Sequence, residues 1–153
     1  MIELTIPLKP KAVQSVRFGS GKAYQKNDVK DFKRLIKYYF RKKYPKFKMY
    51  SGVPLIVNVE HRYKLPAKPV WKHEYVAIYG GYPKITNPDV MDNLNKGLMD
   101  ALTGEIWQDD SIVYQGTPRK VWHFKNEIVL YVIEDKIPKN KKEFDTMLAE
   151  TLS

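Results

Sequence analysis

The hydrophobic and polar positions along the chain alternate in two ways, one typical of strands and one typical of helices. Residues 2–7 and 54–63 alternate every second residue, which predicts two strands that each bury one face. The stretch from Asp28 to about Lys43 repeats its apolar side chains at helical spacing and has Asn27 as a candidate N-cap. The apolar face of this predicted helix consists of Val29, Phe32, Ile36, Tyr39 and Phe40.

Two more stretches have helical periodicity. In the first, Met91, Leu94, Leu98, Ala101 and Leu102 form one face of a short helix that Asp92 or Asn93 caps and Gly104 ends. The second covers residues 140–152, the predicted C-terminal helix, whose stripe packs in the core or in a dimer contact. This stripe contains Phe144, Met147, Leu148 and Leu152.

The remaining segments are less periodic. Residues 111–114 and 119–124 predict a strand bent at Gly116–Pro118, and a turn near Lys125 leads into a strand at 127–133, so that the two form a hairpin. Residues 64–88 are rich in Pro, Lys and aromatic side chains and are interpreted as a long loop, in which 70–79 forms a strand or a short helix. Its aromatic side chains either stack on exposed bases or form a satellite core or subunit interface, and the second interpretation is slightly favoured.

Together these elements predict an α+β fold, with one domain over residues 1–153 and a mixed or mainly antiparallel sheet covered by helices. A chain of 153 residues that is 43% hydrophobic can bury one core but is too short for two ordinary domains. The absence of cysteine excludes disulfides and thiolate metal sites. Because the sequence contains neither a signal peptide nor an apolar run of membrane-spanning length, we expect a cytoplasmic protein.

The charge balance adds a candidate partner. The chain has 27 Lys and Arg against 17 Asp and Glu, a net charge of +10, which suits a polyanion such as DNA. Many small basic proteins bind no specific partner, however, and the basic loop before Tyr24 fits an ordinary surface loop as well as one that closes on DNA. His61, near the end of a predicted strand, is a weaker candidate for a DNA contact. The candidate DNA-binding residues are Arg17, Lys22, Lys33, Lys37, Lys84 and Lys96.

Acidic residues are concentrated around the short helix of residues 91–102. Asp89 and Asp92 stand at its start, while Asp109 and Asp110 stand at the entry of a strand that begins near Ile112. Carboxylates crowded together raise each other's pKa, and a bound cation removes that cost. Such a cluster is what two-metal phosphodiester cleavage requires, and Lys96, one turn into the helix, would neutralise charge on the phosphate.

This region also carries a family resemblance. The pattern D-N-L-x-K-x-x-x-D-A-L begins at Asp92, and W-x-D-D-x-x-V follows from Trp107 to Val113. Upstream, I-P-x-K-P at residues 6–10 precedes Arg17-Phe18 and Ala23-Tyr24. These motifs resemble the RusA family of Holliday junction resolvases, which is common in bacteriophages and prophages, over most of residues 2–135.

The resemblance implies a set of site residues. It makes Asp89, Asp92 and Asp110 the metal ligands and Lys96 the catalytic lysine. In our hypothesis for the reaction, Mg²⁺ is the cofactor with Mn²⁺ as a substitute, and Asp109 has an assisting role. The family usually separates its first two aspartates by a single residue, whereas two residues separate Asp89 from Asp92 here. We interpret this as a one-residue insertion that leaves Asp89 as a ligand in an Asn-Pro-Asp turn.

The sequence therefore predicts a metal-dependent endonuclease that resolves four-way junctions in DNA recombination and repair. Symmetric cleavage of such a junction calls for two sites related by a twofold axis, so we expect a homodimer, which the resemblance also implies. One alternative is a catalytically inactive DNA-binding protein with the same fold. Another is a nuclease for flaps or forks with the same site.

Overall fold

The fold is described from a computed structural model. It describes residues 1–12, 17–19, 22–24, 27–89 and 94–153, with the backbone alone for 17–19 and 22–24. Asp92 and Asn93, the predicted ligand and cap, lie outside the described residues.

A mixed sheet forms the centre of the α+β domain, as the sequence predicts. Its strands are β1 (Ile2–Ile6), β4 (Leu55–Lys64), β5 (Tyr82–Pro83), β6 (Val113–Gln115), β7 (Pro118–His123) and β8 (Glu127–Glu134). They lie in the order β1-β8-β4-β7-β5, with β6 also paired to β4. Strand β4 is central: it pairs antiparallel with β8 and parallel with both β6 and β7.

The predicted hairpin of residues 119–133 is wrong. Strands β7 and β8 follow each other closely in sequence, but β4 lies between them in the sheet. The turn that joins them passes the end of β4, where Lys64 N–H donates to the Asn126 side chain at 2.8 Å. Long-range pairing with β4 therefore takes the place of the local pairing that a short connection favours.

Helices α1 (Asn27–Lys43) and α3 (Asn95–Leu102) pack beside each other over one face of the sheet. The apolar face of α1 is buried as the sequence predicts, except for Tyr39, which is half-buried. Trp107 is fully buried with the residues that follow α3, and its indole N–H donates to Thr103 Oγ1 at 2.9 Å. The core thus lies between the sheet and these two helices.

Helix α2 (Val70–Tyr79) replaces much of the long loop predicted at 64–88. It ends at Gly80, whose φ of 81° lies in the left-handed region that glycine adopts readily. Only Val76 of α2 is buried, while Trp71 and Tyr79 are largely exposed. Of the strand and the short helix that the sequence allows at 70–79, the helix is therefore confirmed.

The basic N-terminal segment also contains regular structure, because β2 (Arg17–Gly19) and β3 (Lys22–Tyr24) pair antiparallel. At the other end of the chain, α4 (Lys141–Leu152) begins at Asn140, whose side chain accepts the Glu143 N–H at 2.8 Å. Its apolar stripe is exposed, with Phe144 at 43% and Leu152 at 81%, so core packing within this chain is wrong for it. No helix in the described part of the chain is long and apolar enough to cross a membrane.

Candidate active site

The floor of the candidate site is one face of strands β4 and β7. The alternation along β4 turns His61 and Tyr63 inward, and the parallel register sets them beside Lys120 and Trp122 of β7. Lys84 follows β5, where its N–H donates to the Lys120 carbonyl at 3.1 Å. Adjacent strands therefore bring histidine, lysine and aromatic side chains to one place.

Two lysines hold the backbone that leads to Asp89. The Lys84 ammonium donates to Thr86 Oγ1 and to the Asn87 carbonyl, each at 2.6 Å. The Lys120 ammonium donates to the Pro88 carbonyl at 2.6 Å and also to the Thr86 carbonyl. These hydrogen bonds satisfy backbone carbonyls that would be paired in a strand or helix. They also fix the backbone directly before Asp89.

Lys84 is unusually enclosed for a lysine, with 9% of its surface exposed. Its ammonium lies 4.9 Å from the ring centroid of Tyr63 and 5.0 Å from that of Trp122. Burial, followed by the charges of Lys120 and Lys9, lowers the pKa of Lys84. Its predicted role in DNA binding remains untested, and the structure gives it a structural role in holding the loop.

On the other side of the acidic segment, His61 holds the start of α3. Its Nε2 lies 3.0 Å from Asn95 Oδ1, and Leu94 N–H donates to the Asp89 carbonyl at 3.2 Å. Burial lowers the pKa of His61 against the smaller raising effect of the Asn95 hydrogen bond, so the ring is neutral and donates from Nε2. Its Nδ1 is buried without a hydrogen-bond partner.

His61 is thus a positioning residue that the sequence interpretation missed. It is 1% exposed, so its side chain is not open to DNA, a contact that the sequence did not favour. The available signal was its place among the inward residues of an alternating strand, where a polar side chain needs a buried partner.

The predicted catalytic residues occupy different positions around α3. Asp89 is exposed and directly follows the backbone that the lysines hold, while Lys96 is exposed on the first turn of α3. Asp110 is exposed in a short 3₁₀ turn, residues Asp110–Ile112. The Asp109 carboxylate caps this turn by accepting the Ser111 N–H at 2.9 Å, and this hydrogen bond lowers the pKa of Asp109.

Asp110 and Asp89 lie towards opposite ends of β4. Trp107 bridges to Tyr50 and Val113 pairs with Leu55, so the segment that contains Asp110 runs beside the approach to the first residue of β4. Asp89 instead lies near Lys120, which is the register partner of His61. The stretch of β4 from Leu55 to His61 spans roughly 20 Å at the usual rise per residue.

This placement bears on metal binding. Asp89 and Asp110 offer the carboxylate oxygens that Mg²⁺ prefers. Among the described residues, however, no group of three or more His, Cys, Asp or Glu side chains is close enough to hold a metal ion. The donor types fit a divalent cation, and Asp92, the third predicted ligand, lies outside the described residues.

The candidate DNA-binding lysines of α1 are partly engaged within the protein. Lys33 lies 3.5 Å from Asp100 and joins α1 to α3, whereas Lys37 is half-buried without an ion pair among the described residues. The side chains of Arg17 and Lys22 lie outside the described atoms. Of the four candidates whose side chains the structure describes, Lys37 and Lys96 are the most available to an external phosphate.

Comparison with known proteins agrees with the motifs. The family model described as Endodeoxyribonuclease RusA matches residues 7–133. No curated protein matches the chain. The matched range covers most of the chain and includes the floor of the site, α3, Asp110 and residues 86–89, here called the held loop because Lys84 and Lys120 bind its backbone.

Proposed function

Since the chain belongs to the RusA family of endodeoxyribonucleases, we propose that it is a Mg²⁺-dependent nuclease that resolves four-way DNA junctions by paired phosphodiester cleavage. The main support is the held loop, in which Lys84 and Lys120 fix the backbone before Asp89 while His61 fixes the start of α3. Hydrogen bonds therefore hold the chain both before Asp89 and at the start of α3. This suits a loop whose carboxylates must keep one geometry during a reaction.

A bound divalent cation would neutralise charge on the scissile phosphate and lower the pKa of an attacking water. Asp89, Asp92 and Asp110 are the residues proposed to hold it. Lys96 is exposed on the first turn of α3, where its ammonium can donate to a phosphate oxygen that gains charge in the transition state. The net charge of +10 draws the polyanionic substrate towards these carboxylates.

The proposed site is completed in a homodimer. Asp110 lies towards the opposite end of β4 from Asp89 and Lys96, so the register of the sheet separates these residues within one chain. A twofold axis places the same surface of each chain against the other and can set Asp110 of one protomer beside Asp89 of its partner. Each dimer then has two equivalent sites, as the paired cuts require.

Helix α4 is the proposed dimer contact. Its residues Phe144, Met147 and Leu148 are between 39% and 43% exposed, and none of its residues is buried. An isolated helix of 12 residues is marginal in water, so packing against the same helix of a second copy would stabilise it.

Sedimentation or light scattering tests this contact. The double substitution Phe144→Ser and Leu148→Ser should convert the dimer to a monomer, whereas Lys142→Ser with Glu150→Ser, on exposed polar positions of α4, should leave the dimer intact. If the variant with Phe144→Ser and Leu148→Ser stays a dimer while the variant with Lys142→Ser and Glu150→Ser becomes a monomer, α4 does not form the contact through its apolar stripe.

Cleavage assays test the proposed function. With Mg²⁺, the wild-type protein should make paired cuts in a four-way junction, and Asp110→Asn should bind the junction but cut at least about a hundredfold more slowly, since a proposed ligand of the charge-stabilising cation is lost. Binding by both proteins without cutting by either would favour an inert DNA-binding protein. If the protein cuts flaps or forks faster than four-way junctions, a flap or fork is its substrate in place of the junction.

A further inference from the structure

A cleft of about 670 Å³ opens beside the loop that leads to Asp89. Its lining includes Lys9, Lys64, Tyr63 and Trp122, and one wall is formed by Asn87 and Pro88. We infer that this cleft, the lysine cleft, binds one unpaired nucleotide of a DNA strand, with its phosphate on Lys9 and Lys64 and its base against Trp122. Its volume lies within the range of small-ligand sites.

The charge of the lysine cleft selects an anion. Four of its lining residues are lysines and none is acidic. Two of these lysines already have partners, because Lys11 pairs with Asp28 at 2.6 Å and Lys84 holds the loop. Lys9 and Lys64 are exposed and make no ion pair within the described part of the chain, so their ammonium groups are available to a phosphate.

The aromatic side chains of the lysine cleft suit a base. Trp122 is half-buried and meets the Tyr63 ring edge-on, with 6.3 Å between ring centroids. Burial raises the pKa of Tyr63 to about 12, so its hydroxyl stays protonated and adds no negative charge to the cleft. A partly open indole among ammonium groups is the combination that binds single-stranded nucleic acid through stacking and charge.

The location connects the lysine cleft to the proposed reaction. Pro88 lines the cleft, and the next residue is Asp89, a proposed metal ligand. A nucleotide in the cleft would therefore lie close along the strand to the phosphate that is cut. A branch point can supply an unpaired base, whereas an intact duplex holds its bases stacked, so the cleft favours branched DNA. This part of the inference rests on the proposed function.

Binding without cleavage tests the inference. Fluorescence anisotropy with labelled oligothymidylate in EDTA should show about tenfold weaker binding for Lys9→Gln with Lys64→Gln, and the salt dependence should fall by roughly 1.4 in slope for two lost phosphate contacts. Lys46→Gln with Lys48→Gln removes the same charge from exposed positions outside the cleft and should change the affinity less than twofold. Equal losses for the two pairs would overturn the inference.

The base contact has its own measurement. In a Trp71→Phe background, the remaining tryptophans are Trp122 in the cleft and Trp107, which is fully buried. Oligothymidylate should then quench the emission of Trp122, and a short blunt duplex should quench it much less. Equal quenching by both, or none by either, would overturn the base contact without requiring a variant of Trp122 itself.

Failure of the inference and failure of the proposed function are distinguishable. If the wild type cuts no DNA but the two lysine pairs still differ in oligothymidylate binding, the lysine cleft stands and the nuclease function falls. If the wild type cuts junctions but the pairs do not differ, the nuclease stands and the cleft is overturned.

Discussion

Single side chains hold the loop before Asp89, and Lys84 is one of them. Lys84→Met removes the ammonium that lies over the Tyr63 and Trp122 rings and leaves Thr86 Oγ1 and the Asn87 carbonyl without their donor. We expect a loss of about 1–3 kcal/mol in the free energy of unfolding, because these groups are partly buried. Urea denaturation measures it, with exposed Lys125→Met as the control. Unchanged stability together with weakened DNA binding would instead support the phosphate contact predicted from sequence.

His61 connects stability to pH. Burial lowers its pKa in the folded protein, so near its ordinary value of about 6.5 the unfolded chain binds more protons than the folded one. The stabilising contribution of neutral His61 is therefore complete above that pH and declines as the pH falls below it. His61→Gln should flatten the fall in unfolding free energy between roughly pH 7 and pH 5 in urea titrations.

His123 is the control for this measurement because burial also lowers its pKa, although it is only half-buried. His123→Gln should flatten the pH dependence less than His61→Gln does. An identical pH dependence in the wild type and His61→Gln would show that the His61 ring does not titrate differently in the folded state.

At the scale of elements, the connection between β6 and β7 depends on Gly116, which lies against β4. A Cβ at this position would meet the Val57 carbonyl oxygen at 1.8 Å, so even alanine forces the strand away from β4. Gly116→Ala should lower the free energy of unfolding by about 2–3 kcal/mol. Gly52→Ala, at φ +67° but with open space around it, should cost only about 1 kcal/mol. Equal losses would show that backbone conformation, and not the close approach to β4, sets the cost.

Local periodicity accounts for the elements that the sequence predicted well. Helix α1 and strand β4 each keep a regular apolar face, and both were located to within a residue or two. The pairing of β7 and β8 was predicted wrongly because the sequence shows a short connection but not the strand inserted between them. Helix α2 buries only Val76, so its apolar periodicity was too weak to separate it from a strand.

The candidate site, like the fold, could be predicted from the sequence only in part. Motif spacing pointed to Asp89, Lys96 and Asp110, and their metal and catalytic roles stay predictions. Spacing could not show that Lys120 and His61, which are distant in sequence, hold the two sides of the acidic segment, because their meeting depends on the register of β4 and β7.

For the whole molecule, the distribution of the carboxylates bears on the proposed dimer. Asp110 and Asp89 lie towards opposite ends of β4, while the apolar stripe of α4 is exposed. Both observations favour a dimer whose two sites each take residues from both protomers. The monomer would then retain the fold and the lysine cleft but would not cut DNA.

Mixing two inactive variants tests this claim most directly. Asp92→Asn and Asp110→Asn should each be inactive on a four-way junction with Mg²⁺. After subunit exchange, a heterodimer carries both substitutions at one site and neither at the other, so about a quarter of all sites should regain cleavage, as single nicks. A mixture that stays inactive, beside a wild type that cuts, would place each site within one chain, and a wild type that cuts no DNA would contradict the nuclease itself.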